Sequence, residues 1–206
     1  QFTIPQKIYM GVKRVIDILL SALALILLSW LFLILCIAIK IDSRGPILFK
    51  QKRVGIHKTH FMIYKFRTMR IDKPKDMPTH MLADPEQYIT RVGKFLRKSS
   101  LDELPQIINI LMGKMSIVGP RPALWNQYDL IEERDKYGAN DVMPGLTGWA
   151  QINGRDELEI DVKAKLDGEY VKKFGFIMDL KCFFGTITAV LSHKGVVEGG
   201  TGEMHK

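Results

Sequence analysis

The chain has 206 residues, 47% hydrophobic and 25% charged, with a formal net charge of +8. That length supports one domain with a real core, and the positive balance asks for an acidic partner: nucleic acid, anionic lipid or a phosphorylated substrate. No zinc-finger or aromatic RNA-binding pattern is present, so nucleic acid is set aside and phosphate-rich lipid and substrate remain.

Gln1–Gly11 is short and partly apolar and reads as a surface or partly disordered segment. Lys13 and Arg14 then precede Ile18–Ile39, 22 residues without a charge. As a helix this run covers roughly 33 Å, against about 30 Å of bilayer hydrocarbon. It is too long for the apolar part of a signal peptide, so a membrane segment is expected. Lys40, Arg44, Lys50, Lys52 and Arg53 follow it. Charge bias places both flanks on the cytoplasmic side, which a straight span cannot do. From the residues alone, a span and a loop that enters and returns both stay open. Ser29, near the middle, is placed to bond back to a main-chain carbonyl and bend the helix. Cys36 and Cys182 both lie in apolar runs and read as small hydrophobes in a reducing compartment.

Gly45-Pro46 ends the apolar segment. Ile47–Arg53 and Phe61–Arg67 are predicted strands of a hairpin joined by Val54–His60. Lys65 and Arg67, in the second strand, are surface cations by default. Arg70–Tyr88, broken by Pro74, Pro78 and Pro85, predicts a mobile loop. His57, His60 and His80 lack metal-ligand spacing and read as ordinary exposed histidines. Ile89–Lys98 is basic and amphipathic and carries Arg97.

Ser99–Pro122, SSLDELPQIINILMGKMSIVGPRP, is the stretch around which the chain is organised. Ile107, Ile108, Ile110, Leu111 and Met115 recur at helical spacing and predict a buried helix. Ser100-Leu101-Asp102-Glu103 fits a capping box, and Pro105 is tolerable only near a helix start. Taken alone, Asp102 and Glu103 are dipole-complementing residues worth about 0.3–1 kcal/mol each. Their surroundings argue for more. Arg97, Lys98, Lys114 and Arg121 are all close in sequence. Arg121 lies between two prolines that restrict its backbone and pre-organise a guanidinium suited to bidentate phosphate binding. Carboxylates beside phosphate-binding cations call for a metal between them and the anion, and Mg²⁺ is the natural choice.

Trp125–Tyr137 predicts a charged helix with a solvated face. Met143–Arg155 is turn-rich, with Pro144-Gly145, Gly148 and Gly154 beside Arg155. Asp156–Tyr170 predicts a charged helix. Ile177–Leu191 predicts an amphipathic one whose apolar stripe packs either in a core or in a membrane interface. Gly195–Lys206 is glycine-rich and reads as loose.

SLDELPQ followed by MSIVGPRP, with YKFR upstream and GLTGWAQINGR downstream, resembles the bacterial sugar transferase family, the monotopic polyprenyl-phosphate phosphoglycosyl transferases. The resemblance runs from about Lys13 to Gly195. It implies a predominantly helical α+β fold with a re-entrant membrane helix, a small β-hairpin and amphipathic interfacial helices. Residues 1–44 would then form the membrane-associated segment, and 45–206 a catalytic domain packed on the cytoplasmic face of the bacterial inner membrane. It implies transfer of a sugar 1-phosphate from a UDP-sugar, N-acetylated by resemblance to capsule and glycoprotein pathway members, to polyprenyl phosphate, with release of UMP. By the same resemblance Asp102 is the nucleophile and Glu103 holds Mg²⁺, while Arg121, Arg97, Lys65 and Arg155 support the phosphates. The sequence departs from the family at two places. Ser29-Trp30 stands where a Ser-Pro pair is typical, and Met143 stands where arginine is frequent. Two other classes fit parts of the pattern: a metal-dependent diphosphate hydrolase at the membrane, and a non-enzymatic anchor whose basic face binds anionic lipid.

Overall fold

The computed structural model describes residues 2–72, 85–154 and 158–192. The expectations for Pro74 and Pro78, His80, Arg155 and Gly195–Lys206 fall outside the described residues.

Helix α1 spans Ile4–Leu27. Thr3 caps it and exchanges side-chain and backbone hydrogen bonds with Gln6, while Pro5 stands in its first turn. Most of the segment read as surface or disordered is therefore the first part of this helix, because a complete capping box starts it there. Leu28 leaves the helical region with φ −98° and ψ 5°, and α2 continues over Ser29–Asp42. The two helices meet at a 62° bend. The Ser29 hydroxyl donates to the Ile26 carbonyl at 2.8 Å, so the kink carries a local hydrogen bond without a proline. Among the described residues no single helix is long and apolar enough to cross a membrane; by length and composition the bent pair is.

Both limbs of the bend dock on the same body. Lys13, Asp17 and Ser21 recur every four residues along α1 and form its buried face. Lys13 pairs with Asp179, which also accepts from the Tyr9 and Tyr170 hydroxyls, each at 2.7 Å. The Arg14 guanidinium donates to the carbonyls of Ile110 at 2.6 Å and Leu111 at 2.9 Å. On the other limb, Leu35 and Ile39 of α2 pack with Phe66 and Leu96. Arg67, read as a surface cation, is buried instead. Its guanidinium takes the carbonyls of Ser43 and Arg44, just past the end of α2, where helix-end carbonyls lack partners. Between the docked faces Leu19, Leu23, Ile26, Leu27, Trp30 and Leu33 are all exposed.

The predicted hairpin forms. Strand β1, Leu48–Val54, pairs antiparallel with β2, His60–Phe66, in a register placing Phe49 opposite Lys65 and Arg53 opposite Phe61. Helix α3, Arg91–Ser99, is capped by the Thr90 hydroxyl. A 3₁₀ turn at Leu101–Glu103 leads into α4, Gln106–Leu111, whose Ile107 and Ile110 are buried as expected, whereas Ile108 is half-buried, Leu111 is exposed, and Met115 is buried beyond the helix end.

Strand β3, Ser116–Val118, pairs parallel with β4, Gly145–Thr147, a pairing that the turn-rich reading of 143–155 missed. Gly119, Gly145 and Gly148 permit it. A Cβ on Gly145 would lie 2.1 Å from the Gly119 nitrogen, and one on Gly148 2.1 Å from the Gly119 carbonyl oxygen. The two glycine-bearing motifs are thus pressed backbone to backbone, with Arg121 on the loop leaving β3.

Helix α5 is Tyr128–Asp135, α6 Trp149–Ile152, α7 Ile160–Lys172 and α8 Phe176–Ser192. The solvated-face reading of α5 fails at Arg134. That residue is buried, and its Nε donates to the buried Asp167 of α7 at 2.8 Å. In α8, Met178 and Cys182 face the core, while Ile177, Leu180, Phe183, Phe184 and Ile187 stay exposed. The stripe read as core or interface therefore lies outside the core. Both cysteines are free, as expected.

Candidate active site

The dyad is built at the junction of α3 and α4. Ser100 ends α3 in the left-handed region, φ 57°, and its side chain makes no capping bond. The capping box expected at Ser100 is therefore absent: the chain reverses at that residue, and Glu103 is drawn elsewhere. The 3₁₀ turn and Pro105 carry Asp102 and Glu103 to the edge of β2. There Lys65 Nζ donates to Glu103 at 3.0 Å. From the β3 loop the Arg121 fork reaches the same carboxylate, Nη2 to Oε1 at 2.5 Å and Nη1 to Oε2 at 3.3 Å. One carboxylate thus holds two cations, one from strand β2 and one from the loop after β3. Glu103, Lys65 and Arg121 side chains are 12%, 17% and 24% exposed, so the cluster is shielded but reachable.

Asp102 is treated differently. It is half-buried and accepts no hydrogen bond from the described residues. Burial pushes its carboxyl above the usual carboxylate range. Lys65 is the largest charge pulling it back, the Glu103 charge adds to the rise, and Arg97 and Arg121 oppose it. Arg97 is steered into this group by its Nε bond to Thr68 Oγ1 at 3.0 Å. Five of the six residues expected at the site, Asp102, Glu103, Lys65, Arg97 and Arg121, are therefore one electrostatic unit. The sixth, Arg155, is outside the described residues. A half-desolvated carboxylate ringed by three cations suits attack on, or binding near, an anionic group.

Residues 8–193 match the Bacterial sugar transferase family. The chain belongs to that family. It is 38% identical over 187 residues to EpsL of Bacillus subtilis, an uncharacterized sugar transferase, covering 91% of each chain. It is 40% identical to an undecaprenyl-phosphate glucose phosphotransferase of Komagataeibacter xylinus, over 85% of this chain and 35% of that one. A UDP-glucose:undecaprenyl-phosphate glucose-1-phosphate transferase of Escherichia coli is also 40% identical, over 85% of this chain and 39% of that one. The chain thus spans nearly all of EpsL but little more than a third of the two longer relatives.

Within this sugar transferase the residues missed from sequence are those that hold the site in place. Asp17 accepts from the Ser116 hydroxyl at 2.7 Å and the Ile117 N–H at 3.1 Å, tying α1 to the strand that leads to Arg121. Arg14 fastens α1 to the far end of α4, whose near end follows the dyad. Lys13, Asp17 and Ser21 at four-residue spacing were visible in the sequence. They form a face only once the helix is seen to begin at Ile4 rather than Ile18.

The carboxylate pair also fits a magnesium ion by its chemistry, being two adjacent hard oxygen donors. Among the described residues no group of three or more His, Cys, Asp and Glu gathers to complete a shell. Substrate phosphate oxygens and water would supply the remaining ligands.

Proposed function

We propose that this chain transfers a sugar 1-phosphate from a UDP-sugar to polyprenyl phosphate through a covalent intermediate on Asp102. The observation that carries this reading is the half-buried Asp102, with no hydrogen bond from the described residues, beside Lys65, Arg97 and Arg121. The names of the relatives at 40% identity support the donor and acceptor classes. Ionised Asp102 attacks the phosphorus bonded to the sugar. The bond from that phosphorus to the bridging oxygen breaks, and UMP leaves with the electron pair. An oxygen of polyprenyl phosphate then attacks the same phosphorus, breaks the acyl–phosphate bond and restores the Asp102 carboxylate. Lys65, Arg97 and Arg121 offset phosphate charge, and the Arg121 fork orients it. Glu103 would hold Mg²⁺, which would supply further charge neutralisation on the phosphates. Covalent storage suits a site that meets one soluble and one membrane-bound substrate in turn.

The apolar bend is the membrane anchor of this reading. Both limbs return to one body, through Lys13–Asp179 and Asp17–Ser116 on α1 and through Ile39 and Arg67 at the end of α2. That favours entry and return over a span, with residues 1–44 as the membrane-associated part and the catalytic part on the cytoplasmic face of the inner membrane. The exposed stripe of α8 would lie along the anionic lipid surface.

A panel of UDP-sugars, including UDP-glucose and UDP-N-acetylated hexoses, assayed for UMP release tests the reaction. One donor should release UMP and add the mass of one sugar phosphate to the protein. Full product should require polyprenyl phosphate. Steady release of free sugar phosphate without it would make the protein a hydrolase. The same panel decides whether the sugar is N-acetylated. For topology, a single reporter cysteine at Thr3, with Cys36 and Cys182 replaced, should resist a membrane-impermeant reagent in intact cells.

A further inference from the structure

The chemistry proposed for the dyad leaves one polar side chain beside it unused. Gln106 is fully buried, at 0% exposure, and neither its amide nitrogen nor its amide oxygen has a hydrogen-bond partner among the described residues. An unpaired buried amide costs stability that an apolar side chain of the same volume would not. Its position is defined by its neighbours. From Leu101 to Ile108 the backbone bonds run three residues apart, Leu104 to Leu101, Ile107 to Leu104 and Ile108 to Pro105. Residues three apart on such a turn stack on one side. Glu103, Gln106 and Asn109 are spaced in that way. Glu103 meets Lys65 of β2, and Asn109 clamps the β2 backbone, accepting from the Tyr64 N–H at 2.9 Å and donating to the Met62 carbonyl at 2.8 Å. By this spacing Gln106 falls between them on the same side of the turn, three residues along from Glu103.

We propose that Gln106 is a positioning residue for Glu103. In the structure Glu103 is gripped by Lys65 and Arg121. On the reading that this cluster receives a nucleotide diphosphate, the phosphates compete for both cations. Glu103 then needs another donor to hold its carboxylate in place. The Gln106 amide, uncommitted and three residues along, donates that hydrogen bond and keeps Glu103 aimed at the metal and phosphates. The cost in stability is carried so that a donor is ready when the cations turn to substrate.

The test replaces the amide by a thioether of similar size, Gln106→Met, in the full chain. Thermal unfolding is followed while Mg²⁺ is titrated in the presence of UDP, which cannot donate a sugar phosphate. Gln106→Met should melt at or above the wild type before any addition. Its half-maximal Mg²⁺ concentration for the thermal shift should rise at least about tenfold, the loss expected for one hydrogen bond to a charged group. UMP release from a donor sugar should lose about as much in kcat, with KM for that sugar changed less than roughly threefold. An unchanged Mg²⁺ midpoint would show the amide to be idle. A variant that melts clearly below wild type, or fails to fold, would show it to be structural; either result overturns the proposal. If wild type shows neither a shift with Mg²⁺ and UDP nor UMP release from any UDP-sugar, the functional reading itself fails and this inference falls with it.

Discussion

Two kinds of acidic site in this protein are built on opposite principles. Asp167 is matched one to one with Arg134, both nearly inaccessible, and Asp179 is closed by Lys13, Tyr9 and Tyr170. At the dyad the matching is uneven. Glu103 holds two cations, while Asp102 beside it holds no hydrogen bond from the described residues and is forced above its ordinary pKa by burial. A closed pair contributes to holding the fold together. An uneven cluster suits a ligand that is not protein, and on the proposed function the three cations around half-buried Asp102 receive a phosphate.

Substitutions separate the two kinds of site. The largest expected effect is Asp102→Asn, which removes the proposed nucleophile and should lower UMP release by roughly 10³-fold or more. Stability should move the other way. Because the folded-state pKa of Asp102 is raised, the native protein binds the proton more readily than the unfolded chain. Stability contributed by that proton is present at low pH and lost as pH rises through the raised value. Asp102→Asn should therefore melt at or above wild type at pH 7, and the gain should vanish in acid. A melting loss at pH 7 would place Asp102 among the closed sites.

Next in size is Arg134→Ala, which strands Asp167 as a buried charge and should cost about 3–5 kcal/mol in denaturant unfolding. Whatever protein stays folded should retain wild-type KM. Arg121→Lys keeps the charge but loses the fork on Glu103. It should reduce kcat/KM by roughly ten- to a hundredfold with little change in melting temperature. Equal losses of folding and activity would make Arg121 a structural cation like Arg134.

A smaller effect concerns pH. In the proposed reaction Asp102 must be ionised to attack, so the acid limb of kcat/KM should lie above the ordinary carboxylate range. Arg97 opposes the rise, hence Arg97→Gln should move that limb to higher pH. No movement would remove Arg97 from the cluster. The smallest effect is expected for Trp30→Pro. The bend already exists at Leu28 and is supported by Ser29 and Ile26. Reporter labelling at Thr3 and UMP release should both stay as in wild type; outside labelling of wild type would show that the segment spans.

Much of the site was legible in the sequence because its parts are local. A proline-flanked Arg121, an acidic pair between basic residues and a hairpin carrying Lys65 are short-range patterns, and the structure gathers all of them with Arg97. Ser29 likewise makes its expected bond to a main-chain carbonyl, Ile26, beside a bend that has no proline, since such a bond needs only a carbonyl three residues away. What could not be read depends on contacts between distant segments. The parallel β3–β4 pair rests on glycines about 26 residues apart, Gly119 and Gly145, whose lack of side chains matters only when the backbones meet. Lys13 reads from sequence as a flanking charge of an apolar run and Arg134 as a solvated one, and nothing in the sequence marks Asp17. Their partners, Asp179, Ser116 and Asp167, lie 166, 99 and 33 residues further along the chain. Whether a charged side chain faces water or a partner is set by which helix faces meet. Periodicity along one helix says which residues share a face, and only the tertiary structure says what that face touches.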